Sequence, residues 1–382
     1  MKTPVAPRST VDPGDAGLYV HVPFCLTRCG YCDFNAYAGL SHLGPAYVEA
    51  LRREADLHSD AWDGVRFVSI FFGGGTPTTL PAETLCELVA VFRERFDVAT
   101  DAEITCEANP DTVDRPYLER LSEAGINRLS MGVQSFDPAV LAALERVHSA
   151  DSVRRAFRDA RAAGFDDVNL DFIYGALGET AESWRRTVDE AVALGPEHLS
   201  CYALTVESNT PLGRQVSTGR IPPPDPDLQA DLYGIACERL STAGYRHYEV
   251  SNWALPGHEC RHNVGSWEGR PYLGLGAGAH SFRDGRRWWN VRLPRRYLDA
   301  AAEARFPIEG EERLDEEEAA LERTFLSVRL ARGIPESWVP PDVAEAYLAG
   351  GLARRESGRF ALTDRGMLLA SDLVLALEAR EC

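Results

Sequence analysis

From residue 17 to about 245 the chain alternates short apolar runs with helical periods, and this rhythm restricts the fold more than any other feature. Runs of strand character cover 17–22, 66–72, 102–107, 127–132, 167–173 and 198–204. Helical stretches lie between them at 44–58, 81–95, 114–124, 150–163 and 180–194. Two of these end on Ala-Gly, at Gly125 and Gly164, where a residue tolerant of positive φ stops the helix before the next strand. Regular strand–helix alternation implies a parallel sheet, because a parallel connection needs a crossover long enough to hold a helix. Six such units suit a partial (β/α)6, TIM-like barrel better than a doubly wound sheet, although periodicity alone does not separate the two. In barrels the chemistry gathers at the C-terminal ends of the strands.

The first strand runs directly into Cys25-Leu-Thr-Arg-Cys29-Gly-Tyr-Cys32, three thiols within eight residues. Thiolates so spaced can hold three corners of an iron–sulfur cube and leave the fourth iron open to another ligand. A zinc site of three Cys and one His is the competing reading, with His21 four residues upstream, but structural zinc sites more often use two separated Cys pairs. Three unrelated core cysteines are the third. The C-x3-C-x2-C spacing resembles the signature of the radical S-adenosylmethionine (SAM) superfamily, in which SAM chelates the open iron. The other cysteines, Cys86, Cys106, Cys201, Cys237, Cys260 and Cys382, are scattered and receive no role.

Composition excludes several functions. The 382 residues are 45% hydrophobic and 26% charged, ordinary globular values for one large domain and a smaller one. A net charge of −18 disfavours sequence-independent nucleic-acid binding and docking on anionic lipid. Met1 to Ala16 is polar and carries no apolar segment of the secretory kind, so it reads as a disordered tail. No apolar run approaches the length of a membrane span, and the chain reads as cytoplasmic.

Further polar groups fall at successive strand ends. Phe72-Gly73-Gly74-Gly75-Thr76-Pro77 follows the second strand and lets backbone amides approach a ligand closely. Glu107 closes the third strand, Gln134 ends the fourth and Asp171 sits in the fifth. A carboxylate or amide in an apolar strand is costly unless paired. Each could satisfy a neighbour or cap a helix, but three at successive ends favour one shared polar ligand, with Arg146 a candidate carboxylate contact.

These stretches, with Leu-Tyr-Val-His-Val-Pro-Phe-Cys, Arg-Leu-Ser-Met-Gly-Val-Gln-Ser-Phe, Asp-Phe-Ile-Tyr-Gly and Tyr-Leu-Gly-Leu-Gly-Ala-Gly-Ala-His-Ser, resemble the HemN/HemW group, formerly called oxygen-independent coproporphyrinogen III oxidase-like. The likeness spans roughly 17–290 and is looser beyond. It implies a [4Fe–4S] cluster on Cys25, Cys29 and Cys32. It also implies SAM contacts from Tyr19, Tyr31, Gly74, Gly75, Thr76, Glu107, Gln134, Arg146 and Asp171. The porphyrin-oxidising enzymes of the group carry a further Cys two positions after the third ligand, where this chain has Phe34, and a longer arm before the cluster. Both departures point to the HemW-type heme chaperones. Their His-Asn-x-x-Tyr-Trp segment, implicated in heme binding, reads His262-Asn263-Val-Gly-Ser266-Trp267 here, with Ser266 in place of Tyr. Imidazole is a natural axial ligand of heme iron and Trp can pack on the macrocycle.

The resemblance implies heme capture and delivery to an unidentified acceptor protein, with no coproporphyrinogen dehydrogenase activity. Cluster and SAM would control state or homodimerisation, and a reductant would supply electrons. The rivals are coproporphyrinogen dehydrogenase itself and another radical SAM reaction. Four segments are expected: the tail, 1–16; a radical SAM barrel, 17–245; a connecting segment with the heme motif, 246–300; and a C-terminal helical, winged-helix-like domain, 301–382; the stretch 245–290 reads as irregular. Within these, Pro222 to Pro226 is a rigid connector to a helix near Asp227. The acidic run Glu309 to Glu318 opens a helix, and Ser357-Gly358 turns a two-stranded wing.

Overall fold

The six expected strands line up in parallel in the computed structural model, which describes residues 14–378. They are β1 (Ala16–Val22), β2 (Arg66–Gly74), β3 (Asp97–Ala108), β4 (Arg128–Gln134), β5 (Val168–Tyr174) and β6 (His198–Ala203). Helices α1 (Gly44–His58), α2 (Ala82–Arg95), α3 (Arg115–Glu123), α4 (Ala150–Ala162) and α5 (Ala181–Leu194) fill the crossovers, within one residue of the expected bounds. Three of these starts are fixed by side-chain caps: Asp114 for α3, and capping boxes from Ser149 and Thr180 for α4 and α5. The proline connector ends at Asp225, which caps α6 (Pro226–Thr242). Of the proposed tail, residues 1–13 lie outside the described residues, and Ala16 already belongs to β1.

The strands alternate sharply. One face carries Leu18, Val20, Val22, Ile70, Phe72, Ile104, Leu129, Met131, Leu170 and Phe172, all buried in one core with Leu51, Leu88, Leu121 and Trp184 from the surrounding helices. The other face turns inward with Tyr19, His21, Ser69, Glu107, Ser130, Asn169 and Asp171, a polar lumen. This is the (β/α)6 radical SAM barrel, and its inner face is where chemistry can be held.

The stretch expected to be irregular is sheet. β7 (Arg246–Glu249) and β8 (Asn252–Ala254) pair antiparallel beyond β6, whereas β9 (Tyr272–Leu275) returns parallel to β1. β10 (His280–Arg283), β11 (Arg286–Asn290) and β12 (Ile308–Arg313) then continue as an antiparallel meander. The sheet has twelve strands in the order β12-β11-β10-β9-β1-β2-β3-β4-β5-β6-β8-β7. These additions are three to six residues long, too short for alternation to stand out among Gly, His and Trp. The acidic run is likewise divided: Glu309 to Arg313 lies in β12, and the helix begins only at Glu316, capped by Asp315. Pairing with β11 through alternating Arg–Glu contacts, such as Arg287 with Glu312, outweighs helix propensity there.

Between β8 and β9 lies α7 (Arg261–Trp267), and between β11 and β12 lies α8 (Pro294–Ala302). Fully buried Glu54 of α1 ties this region together. It accepts hydrogen bonds from the Gly276 N–H (2.8 Å), Tyr297 hydroxyl (2.7 Å) and Asn290 Nδ2 (2.6 Å). The C-terminal module follows: α9 (Glu316–Ser327), α10 (Pro341–Ala349), and the wing β13 (Ala353–Glu356) and β14 (Arg359–Leu362) turned at Ser357-Gly358, both at positive φ. His247 of β7 pairs with Asp364 beyond the wing at 2.9 Å, tying this helical, winged module to the barrel sheet.

Candidate functional site

At the C-terminal ends of the barrel strands a cavity of about 390 Å³ opens. It is lined by Cys25, Cys29 and Cys32 on one side, and on the other by Gly74, Gly75, Thr76, Glu107, Gln134, Arg146 and Asp171. The loop bearing the cysteines is pinned by the Cys32 N–H to the Cys29 carbonyl (3.2 Å) and by Arg28 to the Cys32 carbonyl (3.2 Å). The three thiols are free of disulfides. Three soft thiolates on one loop are the donor set that an iron–sulfur cluster takes.

Two glycines are obligatory for this packing. Gly74 has φ +106°, and a Cβ on it would lie 2.4 Å from the His21 ring. A Cβ on Gly75 would lie 2.6 Å from the Phe24 carbonyl oxygen. Hydrogen bonds from the Gly75 N–H to the Val22 carbonyl (2.8 Å) and from the Thr76 N–H to the Phe24 carbonyl (2.7 Å) bind this turn to the root of the cysteine loop. The Thr76 hydroxyl then sits 3.6 Å from Cys25 Sγ.

The polar strand-end residues converge. Burial, together with the nearby Asp171 carboxylate, raises Glu107 to about 8, so it carries a proton at neutral pH; it accepts from the Gly74 N–H at 3.2 Å. Asp171 is also raised by burial and accepts from the Ser130 hydroxyl (2.6 Å) and Asn169 Nδ2 (2.9 Å). Gln134 sits at φ +65°, an uncommon backbone for a side chain with Cβ, at the strand end facing the cavity. Arg146 donates to the Gly132 carbonyl (2.9 Å) and approaches Cys29 Sγ (3.6 Å), while its buried Nε has no partner among the described residues. A cationic donor left unsatisfied beside the thiols suits an anionic ligand. Tyr31 lines the same cavity. Tyr19 does not: three residues before the end of β1, it lies deeper in the lumen, with its hydroxyl 2.9 Å from His21 Nδ1.

Tyr19 lines a second cavity of about 700 Å³, which shares Phe34, Gly74 and Glu107 with the first. This one runs from the lumen beneath the β9–β12 extension. His262 and Ser266 of α7 also line it; Asn263 and Trp267 do not, and Trp267 instead bonds Glu249. Buried Arg128 and Asp167, paired at 2.6 Å, hold the segment before α7 through the His258 carbonyl and ring. The His262 ring packs against Phe71 (5.0 Å between centroids), and its Nδ1 lies 3.0 Å from the Ser69 hydroxyl. Burial lowers its pKa to about 4, so the imidazole is neutral and its Nε2 carries no hydrogen bond among the described residues.

Sequence reasoning missed Ser130, Tyr202 and Leu204, which line the first cavity, and His280, Trp289 and Arg292, which line the second. Tyr202 and Leu204 had a signal, their position at the end of β6; His280 and Trp289 belong to strands that were not anticipated, and Arg292 follows the second of these.

Residues 19–191 match the sequence model of the radical SAM superfamily. The chain is 44% identical over 367 residues to the heme chaperone HemW of Mycobacterium tuberculosis, covering 94% of each. It is 34% identical over 374 residues to that of Escherichia coli, covering 94% of this chain and 96% of the relative. The Bacillus subtilis protein of the same name is 34% identical, over 93% and 97%. Among solved structures, coproporphyrinogen III oxidase (HemN) of Escherichia coli superposes with a TM-score of 0.82 at 24% identity, over 96% of this chain and 91% of that one; this likeness concerns the fold.

Proposed function

We infer the function from one premise: this chain belongs to the HemW family of heme chaperones. It captures heme and passes it to an acceptor protein. The observation that carries this is likeness over almost the whole chain, cysteine loop and C-terminal module included, to proteins of that name. Phe34 supports it, standing where the porphyrin-oxidising branch carries an additional Cys. Among the described residues no helix is long and apolar enough to cross a membrane.

The radical SAM fold implies a [4Fe–4S] cluster and SAM, and the first cavity has the donors for both. Cys25, Cys29 and Cys32 hold the cluster as thiolates. Arg146 offsets their charge and offers Nε to the SAM carboxylate. Gly74 and Gly75 bring backbone polar groups against the methionyl amine, and Thr76 steadies Cys25. Glu107, protonated up to about pH 8, can donate as well as accept, and with Asp171, Gln134 and Tyr31 it orients the sugar and base. Tyr19 acts from below, through His21 against Gly74. When both groups are bound, the chemistry they supply is one-electron reduction of the sulfonium. The chain itself is read as lacking coproporphyrinogen dehydrogenase activity, with electrons coming from a separate donor and a homodimer as the regulated state. His262, Asn263 and Trp267 are read as the heme segment, His262 presenting Nε2 to the second cavity.

One anaerobic experiment tests this reading. The cluster is reconstituted, and heme and coproporphyrinogen III are offered in parallel. Stoichiometric heme uptake without vinyl product is expected; vinyl formation, or failure to take up heme, overturns it. His262→Ala is expected to weaken heme binding with an unchanged iron and sulfide content, and an identical heme titration would remove His262 from the site.

A further inference from the structure

Three histidines line the second cavity: His21, His262 and His280. They differ in what their nitrogens are doing. His21 is committed at both, Nδ1 to the Tyr19 hydroxyl (2.9 Å) and Nε2 to the Asn35 carbonyl (3.0 Å). His262 is committed at Nδ1 and its ring is packed inside the barrel against Phe71 and Tyr19. His280 is exposed on β10, and neither nitrogen makes a hydrogen bond among the described residues. Partial desolvation by the surrounding groove and the cations Arg287 and Arg292 lower its pKa, so it offers a neutral lone pair at physiological pH.

Its orientation is built. His280 sits opposite Trp289 across the β10–β11 ladder, and the two rings stack at 5.7 Å with 25° between planes. The indole in turn lies flat on β12 over Gly310, where a Cβ would come within 2.5 Å of Trp289 Cζ2. A glycine on that strand makes room for the indole, and the indole sets the plane of the imidazole. Tyr272 and Phe34 supply apolar surface nearby; Phe34 is 65% exposed and belongs to both cavities. Arg292 lines the same space and forms no ion pair among the described residues, in a chain of net charge −18. An unpaired guanidinium at the rim of an aromatic groove suits a carboxylate on a flat apolar ligand.

We propose that His280 is an axial ligand of heme in the second cavity, held in plane by Trp289, with a heme propionate on Arg292. This rests on the heme-chaperone reading and names the residue through which that site grips its cargo. An axial imidazole stands perpendicular to the macrocycle, so Trp289, parallel to the imidazole, meets the porphyrin at its edge. The macrocycle then lies across the groove beside Phe34, next to the cluster cavity.

The test uses the reconstituted full chain and hemin, with His280→Gly, His262→Ala and Arg292→Ala. His280→Gly is expected to weaken hemin binding by about tenfold or more and to change the iron–ligand pattern in Soret-excited resonance Raman spectra. Added imidazole should restore the parent spectrum in that variant, a rescue that a merely structural defect would not show. Arg292→Ala should weaken hemin but leave hemin dimethyl ester unaffected. If His280→Gly keeps the parent spectrum and affinity, the proposal fails while the chaperone reading stands. A parent spectrum lost only in His262→Ala would also overturn it. If the unmodified chain takes up no hemin, the chaperone reading itself fails.

Discussion

Glu54 gives the sharpest test of how the sheet extension is held. Its carboxyl is fully buried and accepts from Gly276, Asn290 and Tyr297, and burial raises it from 4.5 to about 7. The unfolded chain therefore releases this proton near pH 4.5, whereas the folded chain keeps it to about pH 7. Between those values folding takes up a proton, so the contribution is fully present below pH 4.5 and is lost as pH rises through 7. The gap corresponds to about 3 kcal/mol, of which roughly 2–3 kcal/mol disappears between pH 5 and pH 8.5. Glu54→Gln removes the titration. Its amide nitrogen cannot accept, so the variant also loses one of the three bonds, at a cost of about 1–3 kcal/mol that does not vary with pH. Urea unfolding of both proteins at pH 5 and pH 8.5, followed by circular dichroism, separates the two effects. Other raised carboxyls, Glu107 among them, act equally in both proteins and cancel in the comparison. The parent should lose roughly 2–3 kcal/mol more than the variant across that range. Equal losses would show that Glu54 does not titrate in the folded chain.

Cys29→Ser replaces a soft thiolate with a poor iron ligand next to Arg146, and the reconstituted protein should lose most of its four-iron signal in electron paramagnetic resonance after reduction; an undiminished signal would move the cluster elsewhere. Gly75→Ala drives a methyl group to 2.6 Å from the Phe24 carbonyl, so the glycine turn must separate from the cysteine loop. SAM affinity should fall by about tenfold or more with the iron content retained, and an unchanged SAM titration would exclude this turn from the site.

The barrel was legible because its signals are local. Each crossover helix carries its own period, three of the five their own side-chain cap, and each strand is long enough to show which face is apolar. The extension was illegible for the opposite reason. Tyr272 pairs with Gly17 across most of the chain, and nothing within a four-residue strand announces so distant a neighbour. One local signal was present, Asp284-Gly285, a two-residue turn at positive φ that closes the β10–β11 hairpin. Read with the flanking Phe-Arg and Arg-Arg-Trp-Trp, it would have predicted that hairpin. The acidic run misled in part because composition describes a segment's solubility, whereas its strand pairing was decided by arginines more than twenty residues upstream.

The same division runs through the site. The first cavity is made of strand ends and one loop, and the residues picked by motif spacing for cluster and SAM line it, Tyr19 excepted, because β1 turns Tyr19 into the lumen below the mouth. The second cavity is assembled from β1, α7 and the late strands, and of the three residues expected to bind heme only His262 lines it. Yet the two cavities meet at Phe34, Gly74 and Glu107. Binding at the first acts directly on groups that wall the second: the Gly74 turn lies against His21, and Glu107 carries a proton whose pKa depends on its surroundings. A ligand that stabilises ionised Glu107, or that shifts the Gly74 turn by a few tenths of an ångström, would change the shape and charge of the second cavity, the proposed heme site, without entering it. Under the proposed heme-chaperone reading, that shared wall is a physical route by which cluster and SAM occupancy would set heme affinity without a radical step.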